Sequence, residues 1–151
     1  MILQFIVCFA ATLSFAILFS APKRQLIFCG LTGAAGWMVY LLLMKNNSGI
    51  AVANLAASFT LTLMSRIFSA LERHPVTVYL LAGIFPLVPG AGIYYTSYYF
   101  IMDEMDSFAS KGAETLMVAG AIAFGIVFGL SLPQHIFNAL PKIGYKPKQE
   151  L

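Results

Sequence analysis

Charge is what this chain has least of. Only 10% of its residues are Asp, Glu, Lys or Arg, and none of its six acidic residues falls inside a long apolar run. So little solvated surface cannot cover a water-soluble domain, and 60% hydrophobic residues with a mean hydropathy of +0.83 place the chain in the membrane class. Cysteine is nearly absent too. Cys8 and Cys29 both lie in apolar runs at no metal-ligand or disulfide spacing, so they read as small hydrophobes. His74 and His135 have no partners at ligand spacing, which leaves no metal site. No nucleophile–base pattern and no phosphate-binding loop occurs, so neither an enzyme nor a cofactor is expected. The net charge of +3 comes from basic residues at the ends of apolar runs rather than in a stripe, which argues against nucleic acid.

What is abundant is apolar sequence of membrane-spanning length. A 19-residue hydropathy window predicts spans at 2–20, 26–44, 50–71, 78–101 and 115–137, each near the ~20 residues that cross a bilayer core. Ser14-Phe15-Ala16 resembles a signal-peptidase site, but no Lys or Arg precedes the first run and further spans follow, so a retained helix is expected. The predicted fold is an all-α integral membrane bundle of five transmembrane helices over residues 1–137, with a basic tail at 138–151. Lys23, Arg24, Arg66, Arg73, Lys142, Lys146 and Lys148 fall toward one face and Lys45 and Lys111 toward the other. That asymmetry predicts an external N-terminus, a cytoplasmic tail and an outward-facing acidic loop at 102–114.

The fourth span carries the strongest local signal. Pro86 and Pro89 remove helical hydrogen bonds, while Gly90 and Gly92 permit non-helical dihedrals. The span is therefore expected to break near mid-membrane into two half-helices, the second beginning around Ala91. A half-helix N-terminus offers free N–H groups and a positive dipole end to an anion such as a carboxylate. The alternative is a packing kink, since Pro and Gly are common in membrane helices.

In the third span Asn54, Ser58, Thr62, Ser65, Arg66 and Ser69 recur every three or four residues and share one helix face. Two readings stand: pore lining, or helix association through small residues and hydroxyl hydrogen bonds. Arg66 is a functional candidate because an intramembrane cation is costly, although it lies only ~7 Å from the inner end and could snorkel to headgroups. Tyr94, Tyr95, Tyr98 and Tyr99 suit an interfacial belt, with some lining an exit as the other option. Gly30, Gly33 and Gly36, and Ala121, Gly125 and Gly129, form flat faces for helix contact.

The order "FSAPKRQL", "GLTGAAGWMVYLLL", "SRIFSALERHPVTVYLLAGIFPLVPGAGIYYTSYYFI" and "GLSLP" resembles the threonine/serine exporter family, in particular its separately encoded small subunit. The most specific parts are Pro86-Leu87-Val88-Pro89-Gly90 and Ser65-Arg66 followed by His74-Pro75. The resemblance implies an inner-membrane secondary exporter of threonine and serine, or of dicarboxylates such as succinate, driven by the proton gradient. It also implies a larger partner subunit with a cytosolic hydrolase-like domain and about five membrane helices of its own. No acidic residue lies in a predicted span, so a proton carrier is expected to come from that partner.

Together these readings give an oligomeric transporter subunit that works with a larger partner in the lipid bilayer, with a translocation site for a small carboxylate substrate at Arg66, Pro86, Pro89, Gly90, Ala91 and Gly92. Asn54, Ser58, Thr62, Tyr94 and Tyr95 complete the candidate set. The other function classes are a non-transporting assembly subunit and a homo-oligomeric channel.

Overall fold

The computed structural model describes residues 1–133 and 137. Within them the chain is helical and contains no strand, as expected where each backbone group must be paired inside its own segment. In order, the elements are α1 (Ile2–Leu18), a 3-10 turn (Lys23–Gln25), α2 (Leu26–Lys45), α3 (Ile50–Glu72), α4 (Val76–Ile84), a 3-10 turn (Phe85–Leu87), α5 (Gly90–Ile101) and α6 (Met105–Ser131).

Among the described residues, Lys23–Lys45, α3 and α6 are long and apolar enough to cross a membrane. The pair Val76–Leu87 and Gly90–Ile101 is bent by 51° and counts as a fourth span if taken as one, while α1 is a shorter apolar helix of 17 residues. Large apolar side chains point outward: Ile2 is 81% exposed, Ile101 77% and Leu116 74%. Such a surface is compatible with lipid and not with water.

α3 is central, packing against α6, α2 and α4, while α1 lies on α2 and α5 lies on α6. The contacts are close because glycine faces hydroxyl side chains. A Cβ at Gly129 would sit 2.6 Å from Thr62 Cβ, and one at Gly125 would collide with Ser58. On the other side of the bundle Gly30 receives the Phe9 ring and Gly33 receives Thr12. The hydroxyls in these faces bond back to their own helices: Thr12 to Cys8 O, Thr32 to Phe28 O, Thr62 to Ser58 O and Ser65 to Leu61 O, all at 2.8–2.9 Å. Buried hydroxyls paired this way cost little in lipid.

The turns are tight. Arg73 caps α3 in the left-handed region (φ 56°), Ser69 Oγ donates to His74 O at 2.6 Å, and Pro75 starts α4. Across that corner, Tyr79 OH donates to Gln25 Oε1 (2.7 Å) and Gln25 Nε2 donates to Glu72 Oε2 (3.2 Å), joining α4, the first 3-10 turn and α3.

The acidic loop expected at 102–114 is a correction. Only residues 102–104 form the turn, with Asp103 left-handed (φ 61°), and α6 begins at Met105. Polar residues extend the helix beyond its apolar part because Asp106 suits a helix N-terminus, Lys111 and Glu114 pair at i,i+3, and Phe108 packs on Phe100 (5.3 Å). At its other end α6 stops at Ser131 rather than reaching 137, because Leu132 is extended (ψ 139°) as the residue before Pro133 must be. His135 and the tail at 138–151 lie outside the described residues.

Candidate functional site

The bent pair is broken by its prolines. Pro86 sits inside the 3-10 turn, where the missing N–H is tolerated. Pro89 then forces Val88 out of the helical region (φ −57°, ψ 129°) and itself adopts φ −75°, ψ 58° before α5 starts at Gly90. Val88 N donates to Phe85 O (3.2 Å), Gly90 N to Val88 O (2.7 Å) and Ile93 N to Pro89 O (3.0 Å). Among the described residues, the N–H groups of Ala91 and Gly92 meet no backbone carbonyl. Each arm is 12 residues, about 18 Å at helical rise, so the break is midway along the pair.

The glycines act differently from the sequence expectation. No described glycine has a positive φ, and Gly90 and Gly92 both lie within α5. Gly92 serves close approach: a Cβ there would lie 2.6 Å from Thr115 Oγ1 of α6. A Cβ at Gly90 would meet nothing within 4 Å.

That open space is a cavity of about 300 Å³, at the lower limit of roughly 300–1,000 Å³ for small-molecule pockets. Pro86–Gly92 forms one wall, Trp37, Tyr40, Ile50 and Asn54 a second, and Lys111, Glu114, Thr115 and Val118 of α6 a third. The structure thus brings together Asn54, Pro86, Pro89, Gly90, Ala91 and Gly92 from the sequence-predicted set. Asn54 is 4% exposed, and its Nδ2 donates to Ile50 O (2.8 Å). That bond fixes the amide orientation and leaves Asn54 Oδ1 without a hydrogen-bond donor among the described residues. Lys111 Nζ and Glu114 Oε2 are 2.8 Å apart. The cavity therefore carries one cation, one anion, a free carbonyl-type acceptor and two backbone donors.

The remaining predicted residues lie elsewhere. Ser58 and Thr62 are fully buried beneath Gly125 and Gly129, and their hydroxyls bond to Leu55 O and Ser58 O. Tyr94 and Tyr95 are exposed and stack on Tyr98 and Tyr99 along the outside of α5. Arg66 does not line the cavity. Its Nη1 donates to Gly129 O (3.0 Å), Leu130 O (2.9 Å) and Leu132 O (2.6 Å), and its Cζ lies 4.3 Å from the Phe137 ring centroid. The guanidinium caps the C-terminus of α6, where unpaired carbonyls and the negative dipole end favour a cation.

Sequence reasoning missed Lys111, Glu114, Trp37 and Tyr40. The available signal was the Lys-x-x-Glu-Thr step leading into the last apolar run, an i,i+3 ion pair at a helix entrance. Among the described residues no group of His, Cys, Asp and Glu could hold a metal.

These features define an all-helical, multi-pass membrane protein with a cavity at a broken helix. The chain belongs to the threonine/serine exporter family: residues 4–132 match the family model described as Threonine/Serine exporter, ThrE. It is 30% identical over 119 residues to the threonine/serine exporter of Corynebacterium glutamicum, an alignment covering 77% of this chain and 24% of that protein. It is 26% identical over 125 residues to the probable threonine/serine exporter of Mycobacterium tuberculosis (strain ATCC 25618 / H37Rv), covering 82% of this chain and 24% of that one. The chain thus spans about a quarter of the length of these curated relatives. No solved structure matches.

Proposed function

We propose that this chain is a membrane unit of a secondary exporter in the inner membrane, moving small carboxylate-bearing metabolites through the cavity at the α4–α5 break. In this reading α1, α2, α3, the α4–α5 pair and α6 are five crossings, with the N-terminus outside and the basic tail inside. Threonine, serine and dicarboxylates are the candidate substrates. A larger partner subunit, bearing the hydrolase-like domain and further membrane helices, completes the transporter.

The observation that carries the reading is the cavity of about 300 Å³ at the N-terminus of α5, with Lys111 and the free N–H groups of Ala91 and Gly92 available to an anion. Family membership supports an export role, and the bent pair supports a hinge against which other helices move. Loss of labelled threonine and succinate export in the Gly90→Leu variant, with normal membrane insertion, is the expected result. Undiminished export would remove the cavity from the path.

A specific observation favours one second reading, a non-transporting assembly subunit. α5 has no buried residue and presents its tyrosines outward, as a docking face would. Co-purification with a partner, but no substrate-dependent flux from the reconstituted pair, would select it.

A further inference from the structure

α5 packs chiefly on α6, turning Gly92 and Thr96 toward Thr115 and Phe100 toward Phe108. Its other face carries Gly90, Tyr94, Ser97, Tyr98 and Ile101, which recur at helical spacing and are all exposed. Tyrosine on a membrane helix usually marks the headgroup level. Tyr98 and Tyr99 fit that role, since at helical rise they lie about 14–15 Å beyond Pro89, where a hydrocarbon core of about 30 Å ends. Tyr94 and Tyr95 do not fit it. They lie only about 8–9 Å beyond Pro89, and helical side chains lean toward the N-terminus, which here aims them back at the bilayer centre. Among the described residues their hydroxyls have no hydrogen-bond partner, and lipid tails offer none, so a lipid-facing Tyr94 would hold an unpaired polar group in hydrocarbon.

We infer that this face of α5 is a two-fold interface with a second copy of the chain, α5 lying parallel to α5. The depth of Tyr94 rests on reading α4 and α5 as one crossing. A phenolic hydroxyl both donates and accepts, so a tyrosine face is complementary to itself, and α5 has no charged residue to set like charges against each other across a two-fold axis. Shape agrees with this. The Tyr94 and Tyr98 rings stack at 6.4 Å into a ridge, and beside that ridge an open groove of about 310 Å³ runs between Ser97, Ile101 and Phe108. One patch thus holds both ridge and groove, as an isologous contact requires. Two copies inserted in the same orientation place the axis along the membrane normal, which makes the helices parallel. Gly90 begins the stripe and also lines the cavity at the break, so the second copy shields that edge of the cavity from lipid.

The test is disulfide trapping of the full chain in native membranes, with two differently tagged copies co-expressed in a Cys8→Ala/Cys29→Ala background. Ser97→Cys and Ile101→Cys are expected to give mixed-tag dimers on mild oxidation at a yield several-fold above that of Leu116→Cys, which faces lipid on α6. Adding Tyr94→Phe and Tyr98→Phe to Ser97→Cys keeps the ring shapes but removes the hydroxyls, and is expected to bring the yield down toward the Leu116→Cys level. Equal yields at all three cysteines, an unchanged yield in the phenylalanine variant, or trapping of Ser97→Cys to a different protein in place of the second copy overturns the inference. Thr77→Cys and Asp103→Cys, labelled with a membrane-impermeant maleimide, check the crossing separately. Labelling from opposite sides without self-trapping overturns the interface alone, whereas labelling from the same side overturns the single crossing and the depth assigned to Tyr94 with it.

Discussion

Replacing Arg66 with alanine separates a structural cation from a substrate ligand. Nη1 has two hydrogens and three carbonyl acceptors at 2.6–3.0 Å, so it makes the equivalent of two charge-assisted bonds at the end of α6. At about 1.5–3 kcal/mol for each such bond, and with some of the freed carbonyls reaching water, the loss is about 3 kcal/mol. Arg66→Lys keeps the charge but not the planar fork and should lose about 1–2 kcal/mol. Reversible unfolding in detergent, followed by circular dichroism, measures both. Threonine binding per folded molecule should stay at the wild-type level, because Arg66 lies outside the cavity wall. Stability within about 0.5 kcal/mol of wild type, combined with loss of binding, would refute this reasoning and return Arg66 to the translocation path.

Other outcomes follow from the same contacts. Gly92→Ala places a Cβ 2.6 Å from Thr115 Oγ1 and should cost about 1–3 kcal/mol, with most of it recovered in the double variant Gly92→Ala/Thr115→Ala when both are unfolded side by side. Gly129→Ala should cost a similar amount against Thr62, whereas Gly120→Ala, which meets nothing within 4 Å, should be within about 0.5 kcal/mol of wild type in the same assay. Tyr79→Phe removes the donor to the buried Gln25 Oε1 and should lower unfolding stability by about 1–2 kcal/mol.

The helices were legible in the sequence because lipid leaves few alternatives: an apolar run of spanning length must be helical, and Pro22, Pro75 and the Asn46-Asn47 turn mark the boundaries. The break was legible for the same kind of reason, since Pro86 and Pro89 cannot both continue a helix. The start of α6 was not. A hydropathy window reports contact with lipid rather than helicity, so the Lys111–Glu114 pair was assigned to a loop although it lies in α6 beside the cavity. Arg66 was recognisable as unusual, but its acceptors lie 63–66 positions away and no local pattern points to them. The polar stripe at Ser58 and Thr62 suits pore lining and packing equally until Gly125 and Gly129 are seen against it. The cavity is likewise a property of three converging segments, of which the sequence marked only one strongly.

The most direct measurement is thiol accessibility around the break. In a background with Cys8→Ala and Cys29→Ala, single cysteines at Gly90, Ala91 and Leu116 are exposed to a membrane-impermeant maleimide with and without threonine. Modification of Gly90→Cys and Ala91→Cys, slowed by threonine, with an inert lipid-facing Leu116→Cys, is the result expected here. Equal silence at all three positions would mean that no aqueous cavity reaches the start of α5.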